Sequence, residues 1–355
     1  MDPVARDAAE LTTEWLSTAL DRRVVAVTAE PIGTGQMGSS LRLVLGYDGA
    51  AGPPTLVAKL AAGDAAARAR VSFGFQKEVG FYTQLAATLD VRTPRCWYGA
   101  ITDDGSDFTL LLEDLSPSVP GVQADSCSVE QATGAVRNLA ALHAPRWNDA
   151  SLRDHDFLSP IDEGVAELFG AALVPATEEF VARYGSGLGA DDVATLRAAA
   201  EVIVPWMLDR PEPFAVVHGD YRLDNLMFPP AGDAVAALDW QSVSVGAPGR
   251  DLAYFVGTTF EPDDRRRCED DLVTEYHDEL LARGVRGYDR DRCADDYRAG
   301  HLQGPLITVL GAIHATVQRS ASADRMFLAM ATRSCAAIRD LDALDLVGAR
   351  PPEDR

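Results

Sequence analysis

The sequence predicts an α+β chain in two lobes, a small β-rich one over residues 1–115 and a larger, mostly helical one over residues 116–355. Three observations predict this division. Short runs rich in β-formers crowd into the first third of the chain around a glycine loop, helical spacing of apolar residues takes over after residue 129, and a Pro- and Ser-rich stretch at 116–126 lies between them. A chain of 355 residues can bury a large core, as one domain or as two lobes.

Taken in order, Leu11, Trp15, Leu16 and Leu20 fall at helical spacing, with Thr12 or Thr13 placed to cap the opening helix. Residues 24–28 read as a strand, 33–40 as a glycine loop, 41–47 as a second strand ending at Asp48-Gly49, and 55–60 as a third that finishes near Lys59. Residues 64–89 turn helical, with Phe75, Val79, Tyr82 and Leu85 on one side and Glu78 on the same helix. Extended segments follow at 95–98 and 108–113. Beyond the boundary, helices are expected at 129–143, 162–184, 191–208 and 270–283, interrupted at 214–241 by apolar runs and polar turns.

Composition narrows the function. Apolar residues at 47% and charged residues at 24% are ordinary globular usage, which disfavours disorder and fibrous repeats. A net charge of -22 argues against a general nucleic-acid binder, since phosphate backbones are held by clustered Lys and Arg. Five scattered cysteines, none spaced C-x-x-C, fit neither a disulfide framework nor a zinc site. The opening residues lack a basic start leading into an apolar core, and no run approaches a membrane span, so a cytoplasmic setting without membrane or obligate protein partner is expected.

The strongest chemical signal is His218-Gly219-Asp220-Tyr221-Arg222-Leu223-Asp224-Asn225, followed after an apolar hairpin by Leu238-Asp239-Trp240-Gln241. Phosphoryl transfer asks little of a protein: a carboxylate to orient the attacking hydroxyl, and oxygen ligands for magnesium on the nucleotide phosphates. Asp220 on a loop can orient the hydroxyl, Asn225 can turn back toward the metal, and Asp239 can reach it from the facing strand. An Asx-rich turn would explain the first segment but leaves Asp239 unexplained. Asp224 is the rival carboxylate, out of register and better suited to bracing the loop.

The pattern H-G-D-x-x-x-x-N followed by an apolar-D segment resembles the aminoglycoside phosphotransferase and choline kinase superfamily, with its bilobal kinase-like fold. The wording H-G-D-Y-R-L-D-N-L-M-F, A-L-D-W-Q and G-R-D-L-A-Y-F is closest to ecdysteroid-kinase-like and related bacterial phosphotransferases. The resemblance implies a small-molecule kinase that uses Mg2+ and ATP or GTP. It puts Asp220 in the catalytic place, Asn225 and Asp239 in the metal places, and Asp251 in the place of a buried aspartate that braces the loop. His143, ending Leu139-Ala140-Ala141-Leu142, matches the family's Leu-His helix end and reads on its own as a packed core histidine.

Lys59 and Lys77 are the only lysines among 32 basic residues, which draws attention to Lys59 at its strand end. Its ammonium can neutralise nucleotide phosphates, with Glu78 on the next helix holding it. Gly33-Thr34-Gly35-Gln36-Met37-Gly38 matches G-x-G-x-x-G, which serves either a dinucleotide turn or a kinase loop. Ser39 to Leu45 alternates with period two and position 59 is not acidic, so Gly33, Gly35, Gly38 and Ser39 are expected over the nucleotide phosphates rather than at a helix start. Glu113 and Leu115 flank the expected hinge that contacts the nucleobase. Asp239-Trp240-Gln241 lacks the glycine found in protein kinases, which argues against a switch of that loop and not against metal binding, and the absence of an activation-loop signature and of H-R-D wording disfavours a protein substrate. The alternative from another class is a kinase-shaped nucleotide- or ligand-binding protein without turnover. The hydroxyl substrate stays open among antibiotics, sugars, sterols and other small metabolites.

Overall fold

The computed structural model describes residues 3–32, 38–49, 52–158, 160–232, 234–314 and 320–348. The chain divides into two compact units, and its architecture is α+β, with a β-rich amino-terminal part and a larger helical remainder.

The first unit comprises Met1–Thr88, Thr93–Ser118 and Leu238–Val243. Its centre is an antiparallel sheet in the order β1-β2-β3-β5-β4, formed by β1 (Val24–Ile32), β2 (Gly38–Tyr47), β3 (Thr55–Ala61), β4 (Cys96–Ile101) and β5 (Phe108–Glu113). Alternation decides which face is buried: Leu41, Leu43 and Leu45 of β2 point one way and pack with Leu56, Ala58 and Leu60 of β3. Helix α1 (Thr13–Leu20), capped by the Thr12 hydroxyl, adds Leu16 and Leu20 to this core. Helix α2 (Ala65–Gly80) starts on the Asp64 side chain and buries Phe75, Glu78 and Val79. The helical period expected through residue 89 stops at Gly80, where the chain widens into a π turn (Phe81–Leu85) and tightens into a 3-10 turn (Ala86–Thr88). Trp240 accounts for the widened turn: its ring stacks on Phe81 at 3.6 Å, and its indole N–H donates to Thr93 Oγ1 at 3.0 Å. That contact makes residues 238–243 part of this unit.

The second unit comprises Leu89–Arg92, Val119–Ala237 and Ser244–Arg355. Nine helices are described in it: α3 (Val129–His143), α4 (Glu163–Tyr184), α5 (Ala190–Glu201), α6 (Ile203–Leu208), α7 (Gly249–Thr259), α8 (Pro262–Ala282), α9 (Arg290–Gly300), α10 (Gln303–His314) and α11 (Ala321–Asp340). The short strands β6 (Val119–Pro120), β8 (Leu226–Phe228) and β9 (Ala236–Ala237) form one small sheet, and β7 (Ala215–Val217) pairs with β10 (Ser244–Gly246) in another.

Two helices depart from expectation for identifiable reasons. The run expected as one helix over 191–208 breaks at Val202, because Pro205 has no N–H to offer the carbonyl four residues back. Helix α8 begins eight residues before the expected 270, at Pro262, since a first turn of Asp and Arg carries little apolar signal while proline is well placed at N1. Helices α7 and α9 cross at glycine. A Cβ on Gly249 would lie 2.7 Å from the Asp296 carbonyl oxygen, so the approach needs a residue without a side chain.

Among the described residues no helix is long and apolar enough to cross a membrane. Leu173 of α4 sits in a core with Phe180, Leu196, Ile203 and Leu306 and is 1% exposed. Leu173→Ala should therefore cost about 2–5 kcal/mol in a denaturant melt; a loss well under 1 kcal/mol would contradict this packing.

Candidate active site

In the second unit the buried strand β7 delivers His218-Gly219-Asp220 into a loop that Gly219, at φ 81°, turns sharply. The first two backbone donors of the loop share one buried partner. His218 N–H donates to Asp251 Oδ2 at 2.6 Å and Gly219 N–H to Asp251 Oδ1 at 2.9 Å, so one carboxylate in the first turn of α7 holds the loop's entry. Asp251 is 1% exposed. His143 links it to the core: its Nε2 lies 3.4 Å from Asp251 Oδ2 and its Nδ1 2.7 Å from the Tyr276 hydroxyl, all three side chains being buried. Gln303 donates to the Gly219 carbonyl at 3.0 Å.

Both oxygens of Asp220 are thereby available to side chains, and both are engaged. Tyr254 donates its hydroxyl to Oδ1 at 2.7 Å, and Asn225 donates its amide to Oδ2 at 3.0 Å and to the Asp220 carbonyl at 2.9 Å. The Arg222 guanidinium lies 3.2 Å from Oδ1. With both amide hydrogens of Asn225 committed to Asp220, its Oδ1 is the face left for another partner. Burial, reinforced by the Asp220 charge, pushes the Tyr254 phenol well above its usual range, which keeps it a donor. Burial would lower the Arg222 pKa, but the carboxylates of Asp220 and then Asp224 outweigh it and raise it. Asp224 is occupied elsewhere: Oδ1 accepts from Gln123 N–H at 2.9 Å, and Oδ2 pairs with Arg222.

In the first unit Lys59 lies on β3, opposite Ser40 on one side and Leu110 on the other. Its ammonium is 2.7 Å from Glu78 Oε1 and 3.4 Å from Asp239 Oδ1. Gln241 donates to the second Glu78 oxygen at 3.2 Å, so the glutamate is held at both ends. Burial by itself would depress Lys59, but the Asp239 and Glu78 carboxylates outweigh it and raise its pKa. On Glu78 burial outweighs the opposing pull of Lys59 and raises the carboxyl's pKa. Asp239 takes φ 62°, a left-handed conformation uncommon outside glycine, which turns it from the strand toward Lys59.

Gly38 and Ser39 begin β2, and a Cβ on Gly38 would meet the Leu60 carbonyl at 3.1 Å and Lys59 Cε at 3.4 Å. Gly33 and Gly35 lie outside the described residues. Glu113 ends β5, donating its N–H to the Arg95 carbonyl at 2.8 Å and accepting the Arg95 N–H on its carboxylate at 3.0 Å. Leu115 follows, its carbonyl accepting from Ser118 N–H at 2.9 Å. Thus Lys59, Glu78 and Asp239 meet in one unit, and Asp220 and Asn225 meet in the other.

Sequence reasoning missed Tyr254, Arg222 as a partner of Asp220, and Gln241 as a partner of Glu78. Tyr254 was within reach, since it lies three residues after Asp251 on one helix face.

Among the described residues no group of three or more His, Cys, Asp or Glu is gathered to hold a metal. Asp239 in the first unit offers carboxylate oxygens and Asn225 in the second an amide oxygen, each a hard donor of the kind magnesium takes. The ion pair supplies a separate test. Lys59→Met should destabilise the chain by about 3–5 kcal/mol, because Glu78 would be buried without its cation, and adding Glu78→Leu should recover much of that loss. Equal melts for the single and double variants would contradict the pairing.

The phosphotransferase enzyme family matches residues 38–302. Among curated proteins, acyl-CoA dehydrogenase family member 10 of Mus musculus is 42% identical over 60 residues, which is 16% of this chain and 6% of that protein. Family member 11 of Homo sapiens is 34% identical over 65 residues, 18% of this chain and 8% of that protein. The chain therefore spans only a small part of the curated relatives it matches. Three solved structures share the fold at low identity. A microcompartment-associated aminopropanol kinase aligns with a TM-score of 0.54 at 16% identity, over 94% of this chain and 99% of its own. Choline kinase from Cryptosporidium parvum Iowa II gives 0.53 at 11%, over 91% and 93%. The GDP complex of aminoglycoside 2'-phosphotransferase-IIIa gives 0.53 at 13%, over 87% and 93%. A family match that runs through most of the chain, on a kinase-like α+β fold, makes this protein a member of the phosphotransferase enzyme family.

Proposed function

We propose that the chain is a small-molecule kinase that transfers the γ-phosphoryl group of ATP or GTP to a hydroxyl of an antibiotic, sugar, sterol or other small metabolite in the cytoplasm. The observation that carries this reading is the state of Asp220. Its carboxylate is oriented by Tyr254, Asn225 and Arg222 and remains 25% exposed, while Asp224 braces the loop through the Gln123 N–H and Arg222. A fixed but accessible carboxylate can align an acceptor hydroxyl and receive its proton.

The other roles follow from the chemistry of each group. Lys59, its ammonium kept charged by Asp239 and Glu78, binds nucleotide phosphate, and Glu78 with Gln241 sets its position. Gly38 and Ser39, with Gly33 and Gly35 before them, cover the phosphates by backbone contact, and Glu113 and Leu115 supply backbone groups to the nucleobase. Asn225 Oδ1 and the Asp239 carboxylate would hold Mg2+, which when bound offsets the phosphate charge. The first unit is thus the nucleotide-binding part and the second carries the acceptor. The ecdysteroid-kinase-like wording around Asp220 keeps a sterol among the acceptor classes.

A coupled nucleotide-consumption assay over aminoglycosides, macrolides, nucleosides, sterols and amino alcohols, with ATP and GTP, tests the reading. At least one acceptor should raise nucleotide consumption. Clear nucleotide binding with no turnover across the panel would favour a binding protein instead. With an acceptor found, Asp220→Ala should lower kcat by about 10²–10⁴-fold while leaving nucleotide affinity largely intact. Unchanged turnover would refute the assignment. Lys59→Ala should raise the nucleotide KM as well as lower kcat, and a change confined to the acceptor KM would contradict its role.

A further inference from the structure

We propose that Gln123 is a positioning residue for the loop that carries Asp220, an inference that rests on the kinase reading above. Gln123 stands in the Pro- and Ser-rich stretch that the sequence marks only as a boundary, yet its side chain is 0% exposed. A buried primary amide is costly unless its donors and acceptor are met, and here each finds the same few partners. Oε1 accepts the Leu223 N–H at 2.8 Å. Nε2 donates to the Thr258 carbonyl at 2.9 Å and lies 3.2 Å from the Thr258 hydroxyl on α7. The Gln123 backbone N–H donates to Asp224 Oδ1 at 2.9 Å.

These bonds hold the end of the loop that Asp251 does not reach. Asp251 fixes its entry at His218 and Gly219; Gln123 fixes its exit at Leu223 and Asp224. The far oxygen of Asp224 pairs with Arg222, whose Nε lies 3.2 Å from Asp220 Oδ1, so the brace continues to the carboxylate itself. Gln123 is itself held from behind. Arg333 of α11, 3% exposed, donates to the Gln123 carbonyl at 2.8 Å and the Ala124 carbonyl at 3.0 Å, with its charge matched by Glu261 at 2.7 Å. Gly121 lets the segment come close: a Cβ there would fall 2.8 Å from the Leu223 carbonyl oxygen.

The test uses the full chain with magnesium and ATP or GTP, water serving as acceptor where no other is known. Gln123→Leu keeps the volume and removes every side-chain hydrogen bond, and Gln123→Glu keeps the acceptor facing Leu223 while removing the amide donor. Leu173→Ala, far from the loop in sequence and packed in the helical core, controls for plain loss of stability. Gln123→Leu should lower kcat on the order of 10²-fold, as misplacement of a reacting group does, with nucleotide Kd unchanged and amide exchange at residues 221–225 accelerated. Gln123→Glu should fall between it and the parent. Leu173→Ala, at a comparable drop in Tm, should keep kcat. Unchanged kcat or unchanged exchange in Gln123→Leu overturns the proposal, as does an equal loss of kcat in Leu173→Ala. No nucleotide turnover by the parent chain overturns the kinase reading and the positioning role with it; faster exchange in Gln123→Leu then marks the failure as one of function rather than of loop geometry.

Discussion

A loop that presents a partly exposed carboxylate cannot fix it with its own backbone alone, and in this chain the buried Asp251 supplies what the loop lacks. Its two oxygens take the N–H groups of His218 and Gly219, the first two donors after strand β7. The same bonds free the Asp220 side chain from backbone duty. Tyr254, one turn along α7 from Asp251, can then reach it at 2.7 Å. Helix α7 thus fixes both the loop and the carboxylate it presents. Because α7 also crosses α9 at Gly249 and Gly300, its own placement is set by backbone contact rather than by adjustable side chains.

The first unit solves a different problem, that of holding a cation in a largely buried place. Lys59 is 15% exposed, and burial alone would lower its pKa. Asp239 and Glu78 prevent this, and Gln241 keeps Glu78 from turning away. Glu78 bears the cost, since burial makes its own ionised form less favourable. Trp240, stacked on Phe81 and bonded to Thr93, anchors the short segment that brings Asp239 and Gln241 to the lysine.

Much of this was legible in the sequence, because the signals were local. Alternation in β2 and β3, the scarcity of lysine, and the spacing of Asp220, Asn225 and Asp239 all lie within short windows, and the α+β division followed from where each periodicity dominates. What was not legible depends on partners distant in the chain. Gln123 meets Leu223 and Thr258, and Arg333 meets Gln123 across more than two hundred residues, so no window joins them. The π turn after Gly80 answers to Trp240, and the break at Val202 turns on one proline whose effect the apolar pattern conceals. The roles of Gly33 and Gly35 remain with the sequence pattern, as both lie outside the described residues.

The proposed phosphoryl transfer depends on where a metal–nucleotide complex settles. Its most direct test replaces magnesium with manganous ion, adds a non-hydrolysable ATP or GTP analogue, and follows paramagnetic broadening of assigned amide resonances in the full chain. Broadening centred on Asn225 and Asp239, and dependent on nucleotide, is the result expected. Nucleotide bound with both of those resonances sharp, and the broadening centred elsewhere, would contradict it.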